Sequence, residues 1–288
     1  MIVDIIAPSG SFPAQDIPVL RQYIESKGCI ARIPEQILGP DLLSAQSDAQ
    51  RFAQLKAALL AEDSQLIWCV RGGYGATRLL PALAEMTPPA HRKNLIGFSD
   101  ITALHLFLSQ EWGWSTLHGP SLRQMAKAEL GAASLQQTEA LVFGGQSALE
   151  YTLIPFNAAA EQAVAVKAIL SGGNLKLVEA GLGTPWHIDS RPKILMLEEI
   201  NEYDYRVDRS LVHLAQAQVF DSAQAIILGD FTHEHPAHEV KIEAVLKRFA
   251  EQMAIPVFRL PGVGHAEENW PWFYGPASIQ GNRLSQIW

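Results

Sequence analysis

Short apolar runs alternate with longer stretches in which apolar residues recur every three or four positions, and this alternation organises the first half of the chain. Ile2 to Ala7 predicts a strand that ends in the turn cluster Pro8-Ser9-Gly10-Ser11. Ile17 to Ser26 predicts a helix stopped by Lys27-Gly28, and Cys29 to Ile33 a short strand. Phe52, Leu55, Leu59 and Leu60 share one helical face, with Ser47 or Asp48 placed to cap its start. Leu66 to Val70 predicts a strand, Thr77 to Leu83 a helix, and Leu95 to Phe98 a further strand. Ile101, Leu104, His105 and Leu108 then form another helical face. Strands that alternate with helices predict an α/β fold, a parallel sheet covered on both sides. In such sheets ligands sit beyond the carboxyl ends of the strands.

Residues 144–162 change character: Gly144-Gly145-Gln146, Pro155-Phe156-Asn157 and a run of alanines read as a crossover. Beyond it the pattern predicts a glycine turn at Gly172-Gly173-Asn174, a strand over Lys193 to Leu197, and a helix over Arg209 to Ala217. A strand at Ala225 to Leu228 and a helix at Val240 to Gln252 follow, and the end from Ile255 reads as strands and loops. A length of 288 residues suits two domains, expected at 1–145 and 163–288 with a linker at 146–162.

The chain is 48% hydrophobic, enough for a real core, and carries a net charge of −8 with no lysine- or arginine-rich block. Nucleic acid and anionic membrane surfaces are therefore excluded as expected partners. Cys29 and Cys69 are expected as buried free thiols, not as a disulfide or metal ligands. The start, Met1-Ile2-Val3-Asp4-Ile5-Ile6-Ala7-Pro8, lacks the basic and long apolar regions of a signal peptide, and no apolar run reaches the roughly 20 residues of a membrane span. A cytoplasmic protein is expected.

Four places could carry chemistry. In Leu95-Ile96-Gly97-Phe98-Ser99-Asp100-Ile101-Thr102 a strand runs through a small residue into a serine and a helix start. A serine on such a corner is either a nucleophile with an exposed hydroxyl or a helix cap, and local sequence does not separate the two. The nucleophile elbow usually has glycine on both sides; here Gly97 is present and Ile101 stands at the later position. Arg71-Gly72-Gly73-Tyr74-Gly75 is either a backbone anion site or a tight turn, and its spacing is neither the P-loop nor the dinucleotide fingerprint. Glu198 and Glu199 end a strand, where alternation points them to opposite faces; surface charge is the plain alternative. His265, in Pro261-Gly262-Val263-Gly264-His265, is either a positioned imidazole or an ordinary loop histidine. His233, His235 and His238 lack zinc-motif spacing and are broken by Pro236, so no metal is expected there.

Taken in order, these pieces resemble the LD-carboxypeptidase family, the S66 serine peptidases. The resemblance rests on Arg71-Gly72-Gly73-Tyr74-Gly75 with Arg78-Leu79-Leu80, Gly97-Phe98-Ser99-Asp100 with Thr102, and His118-Gly119-Pro120. It continues through Gly172-Gly173-Asn174-Leu175, Gly183-Thr184-Pro185, Leu197-Glu198-Glu199 with Tyr205-Arg206-Val207-Asp208-Arg209, and Gly264-His265. It implies a flavodoxin-like N-terminal domain with a parallel sheet, carrying the nucleophile, and a smaller β-rich α/β C-terminal domain supplying acid and base. It implies a triad of Ser99, Glu198 and His265, with Glu199 standing where the family usually has Asp. Backbone N–H groups of Gly73 and Asp100 would form the oxyanion hole, and Arg71 or Arg78 would meet a terminal carboxylate. The implied reaction is release of terminal D-alanine from murein tetrapeptide in peptidoglycan recycling, without metal or organic cofactor, by a homodimer. A sibling hydrolase that inactivates a peptide-nucleotide antibiotic, or a non-catalytic muropeptide-binding protein, would share the same residues.

Overall fold

The apolar runs that the sequence sets between helices become strands, most of them largely buried. The computed structural model describes residues 1–162, 164–189 and 191–287. They fall into two compact units, Met1–Gly145 and Gln146–Trp288. Ala163 and Trp288, the expected limits of the second domain, lie outside the described residues.

In the first unit the strands are β1 (Ile2–Ile6), β2 (Ile30–Arg32), β3 (Leu66–Cys69), β4 (Asn94–Gly97) and β5 (Thr116–His118). They lie in the order β2-β1-β3-β4-β5, and each neighbouring pair is parallel. This is the flavodoxin-like order, whose switch point lies between β1 and β3. The connecting helices are α1 (Ile17–Ser26), α2 (Asp48–Leu60), α3 (Leu80–Ala84), α4 (Thr102–Glu111), α5 (Leu122–Lys127) and α6 (Ala132–Val142). β3 is buried at all four positions, as a strand covered on both faces requires. α1 takes the bounds that its pattern predicts and buries Leu20 and Ile24. Ser47, not Asp48, caps α2: its hydroxyl accepts from Gln50 N at 3.4 Å.

Two expectations for this unit change. The helix expected over Thr77 to Leu83 is a 3-10 turn at Ala76–Leu79 followed by α3. Pro81 has no N–H to continue an α-helix from the preceding turn, so the α-helix starts afresh around it. Cys69 is buried, but Cys29 is only half-buried just ahead of β2.

The second unit contains β6 (Ala148–Thr152), β7 (Ile154–Pro155), β8 (Ala165–Asn174), β9 (Lys193–Ile200), β10 (Ala223–Thr232), β11 (Val257–Arg259), β12 (Trp272–Gln280) and β13 (Arg283–Ile287). β8, β9, β10 and β11 are parallel neighbours in that order. β12 runs antiparallel to β8, β13 to β12, β6 to β13, and β7 to β11. Its helices are α7 (Leu175–Ala180), α8 (Asp204–Gln216) and α9 (Pro236–Gln252). Gly172-Gly173-Asn174, expected as a turn, is instead the end of β8, because pairing with β9 continues through Met196, Leu197 and Glu198. The stretch expected as a linker supplies β6 and β7; its alternating buried Leu149 and Tyr151 find their partners only in β13, far along the chain. Among the described residues no helix is long and apolar enough to cross a membrane.

Candidate functional site

β4 ends at Gly97, and extended backbone at Phe98 leads into a 3-10 turn over Ser99–Ile101 that continues as α4. Ser99 takes φ +62°, the left-handed region, which costs a residue with a Cβ roughly 1–2 kcal/mol. The N-cap position belongs to Phe98, so Ser99 is not the helix cap that its sequence left open. His105 of α4 braces the turn from below: Nε2 stands 2.8 Å from Gly97 O and Nδ1 2.8 Å from Thr116 Oγ1. Burial pushes its pKa down to about 4, against the bond to Gly97, so the ring is neutral and Nε2–H donates to the carbonyl.

The loop after β3 closes over the serine. A Cβ on Gly72 would stand 2.8 Å from Ser99 Cβ and 3.2 Å from Ser99 Oγ, so only glycine fits there. Gly72 O in turn accepts from Gly10 N at 3.1 Å. Asp100 is buried, and its Oδ2 accepts from Ser9 Oγ at 2.6 Å and from Ala76 N at 2.8 Å. Burial raises its pKa, partly offset by these two bonds and by the Arg51 charge. The buried Arg51 guanidinium donates through Nη1 to Pro8 O and to Gly75 O, the latter at 2.8 Å. The loops that follow β1, β3 and β4 therefore meet around Ser99, at the carboxyl ends where this topology binds ligands. Of the two expected carboxylate-binding arginines, Arg78 is committed to Asp48, with Nε 2.8 Å and Nη2 2.6 Å from Oδ2. Arg71 is exposed and donates through Nη1 to Ser11 O at 2.9 Å.

The left-handed backbone at Ser99 has a measurable consequence. Ser99→Gly is expected to be more stable than Ser99→Ala by about 1 kcal/mol, since glycine relieves the φ penalty and loses only part of that gain to unfolded-chain entropy. Urea unfolding of the two variants checks this; an alanine variant as stable as the glycine variant would contradict it.

In the second unit both acids at the end of β9 are buried, not surface charges, because β9 runs between β8 and β10 and is interior on both faces. Glu198 Oε2 stands 2.6 Å from His265 Nδ1. Gly264 makes this approach possible: a Cβ there would meet Glu198 Oε2 at 2.9 Å and Glu198 Cβ at 3.1 Å. Glu199 is turned elsewhere. Its Oε1 accepts from Asn174 Nδ2 at 3.0 Å and Ile200 N at 2.8 Å, and its Oε2 from Lys176 N at 2.9 Å. Asn174 caps the same helix start, accepting from Leu177 N at 3.2 Å. Burial opposes a charged His265, but the charge and hydrogen bond of Glu198, with the charge of Glu199, outweigh it and raise the pKa. An imidazole whose Nδ1 faces a buried carboxylate leaves Nε2 as the proton-accepting atom.

Burial, and next the charge of Glu198, push the Glu199 carboxyl from an ordinary 4.5 up to about 7. Between these values the folded chain holds a proton that the unfolded chain releases, so this group's contribution to stability falls as pH rises from 4.5 through about 7. A shift of that size corresponds to roughly 3 kcal/mol. Glu199→Gln is expected to flatten the decline in unfolding free energy across this window, measured by urea titration at a series of pH values. A variant with the native slope would show that Glu199 is not its source.

The histidine cluster gathers at the end of β10 and the start of α9, with ring centroids of His233 and His238 4.7 Å apart and those of His235 and His238 5.8 Å apart. Among the described residues no group of three or more His, Cys, Asp or Glu side chains could hold a metal ion. Sequence reasoning gave no role in the site to Ser9, Arg51 or Asn174. Arg51 left one trace, a charged residue four positions before Leu55 on the buried face of α2. Ser9 and Asn174 sit among glycines at strand ends, and nothing local distinguishes them from ordinary turn residues.

Comparison with known proteins covers both units. Residues 3–119 match the LD-carboxypeptidase N-terminal domain and residues 167–278 the LD-carboxypeptidase C-terminal domain. A putative carboxypeptidase of Rickettsia conorii is 40% identical over 235 residues, covering 81% of this chain and 73% of that protein. The murein tetrapeptide carboxypeptidase of Pseudomonas aeruginosa is 29% identical over 290 residues, covering 98% and 94%. The crystal structure of muramoyltetrapeptide carboxypeptidase from Oxalobacter formigenes superposes with a TM-score of 0.83 at 25% identity, over 99% of this chain and 97% of that one. The microcin C7 self-immunity protein MccF shares the fold, with a TM-score of 0.83 at 19% identity over 100% and 96%.

Proposed function

Since this chain belongs to the LD-carboxypeptidase family, the S66 serine peptidases, we propose that it hydrolyses the L,D-peptide bond that releases terminal D-alanine from murein tetrapeptide, a step of peptidoglycan recycling. The observation that carries this reading is the Glu198–His265 pair at 2.6 Å, a buried carboxylate on an imidazole, in a chain whose Ser99 sits in a strained strand-to-helix turn. The P. aeruginosa relative, similar over nearly the full length of both chains, supports the substrate.

In this reading Ser99 Oγ bonds to the carbonyl carbon of the diamino acid's L-centre while His265 Nε2 takes its proton. Glu198 holds the ring in the Nδ1–H tautomer and stabilises the imidazolium. The tetrahedral oxyanion is held by the backbone N–H groups of Asp100 and Gly73. Collapse breaks the C–N bond, the imidazolium gives its proton to the leaving D-alanine amine, and water then attacks the acyl-serine by the reverse proton path. Of the two guanidinium groups, Arg71 is the better one for the substrate's terminal carboxylate, because Arg78 is already paired with Asp48.

Incubating the purified chain with murein tetrapeptide and measuring free D-alanine tests the proposal. Release of D-alanine is the expected result. Release of aspartate from aspartyl sulfamoyl adenosine instead would assign the chain to the antibiotic-inactivating side of the family. Tight muropeptide binding with neither product would leave a binding protein and overturn the enzyme reading.

A further inference from the structure

Asp100 is 2% exposed, and a buried carboxylate is expensive unless donors reach it. Its two donors come from two different loops: Ser9 Oγ–H, at 2.6 Å, from the turn after β1, and Ala76 N–H, at 2.8 Å, from the far end of the glycine loop after β3. Asp100 itself belongs to the turn after β4. One oxygen thus joins three strand-end loops. A carboxylate that served only α4 would spend these lone pairs on the N–H groups of its own helix start.

The glycine loop is held at both ends. At the front Gly10 N donates to Gly72 O at 3.1 Å. At the rear Ala76 N donates to Asp100, and Arg51 Nη1 donates to Gly75 O at 2.8 Å. Gly73 lies between these anchors. Hydrogen-bond donors to an oxyanion act only when held about 2.7–3.1 Å from where its charge develops, and a displacement on the order of 1 Å costs roughly 100-fold in rate.

We propose that the Asp100 side chain is a positioning residue that sets the distance between the two oxyanion donors, its own backbone N–H and that of Gly73, by tying the glycine loop and the Ser9 turn to the Ser99 turn. This rests on the reading of Ser99 as nucleophile given above. Asp100→Asn keeps the size of the side chain but replaces one acceptor oxygen by an amide and removes the charge that both donors reach.

The test reads Ser99 directly and needs no knowledge of the natural substrate. A fluorophosphonate phosphonylates an activated serine: the Oγ–P bond forms, the P–F bond breaks, fluoride leaves and the hydroxyl proton passes to the base. The phosphoryl oxygen occupies the oxyanion position. The maximal labelling rate and the inhibitor's dissociation constant are measured for the native chain, Asp100→Asn and Ser9→Ala, with Ser99→Ala as the unlabelled control. Asp100→Asn is expected to label roughly 10- to 100-fold more slowly at an unchanged dissociation constant, with every site still titratable. Ser9→Ala, which removes one of the two donors, is expected to slow labelling by roughly 3- to 10-fold. A purely structural role would reduce the fraction of sites that label and leave the rate of the rest unchanged, and that result overturns the proposal. Should Asp100→Asn not fold, Ser9→Ala decides alone, and a native rate there overturns it. A native chain that does not label at Ser99 refutes the nucleophile and this proposal together, a result distinct from equal labelling of native chain and variants.

Discussion

Ser99→Ala is expected to fold like the native chain and to release D-alanine from murein tetrapeptide at least about 10⁴-fold more slowly. The substitution deletes a single oxygen. It keeps the Cβ, so the left-handed backbone at φ +62° and the contact with Gly72 are unchanged, and stability should move by no more than about 0.5 kcal/mol. A large loss of turnover therefore cannot be charged to unfolding. The chemical reason for the loss is that the neighbours on the turn, Phe98, Asp100 and Ile101, carry no hydroxyl that could take its place. Residual activity would come from oriented water and the backbone donors alone, which in such triads leaves a rate well above water but far below the native enzyme. D-alanine release per folded chain is the measurement. Turnover within tenfold of native would remove Ser99 from the mechanism.

The second large effect separates the two acids of β9. Glu198→Gln is expected to lower turnover by roughly 10⁴-fold, and Glu199→Gln by no more than about tenfold. Glu198 bonds to His265 Nδ1 at 2.6 Å, so in the proposed mechanism its charge would stabilise the imidazolium directly and its oxygen would select the tautomer whose Nε2 accepts the proton. An amide in its place carries no charge, and by donating to Nδ1 it can fix the opposite tautomer. Glu199 makes its bonds to Asn174, Lys176 N and Ile200 N, and its loss leaves the Glu198–His265 pair standing. The expected cost at this position is one orphaned donor at the start of α7, read mainly as stability and its pH dependence. Steady-state kinetics on both variants give the ratio. Equal losses, or the larger loss at Glu199, would reassign the acid.

The first unit was the more legible one. β1, β3 and β4 are short apolar runs and α1 has a clean stripe, so local periodicity predicts these elements and their alternation predicts the parallel sheet, whereas β5, only Thr-Leu-His, does not show as an apolar run. Ser99, the glycine loop and His265 also stand out locally, because each needs an unusual backbone and the sequence shows it as glycine or as a strand-to-helix corner. The second unit was harder. Its strands β6 and β7 sit in a stretch rich in Gly, Pro and Ala, and their pairing with β13 and β11 depends on residues more than 100 positions away. The bond from Ser9 to Asp100 spans 91 positions, and Glu198 to His265 spans 67.

Periodicity, turn chemistry and the order of short motifs were enough for the class of fold, the family resemblance and the residue types that could react. Which of two adjacent glutamates meets the histidine, whether Ser99 caps a helix or is held in a left-handed turn, and where the carboxylate of Asp100 goes were decided by packing alone. Covalent neighbours impose backbone geometry over a few residues, so local structure is written locally. The partner of a buried charge is whichever donor the folded sheet carries to within 3 Å of it, and no local pattern encodes that meeting.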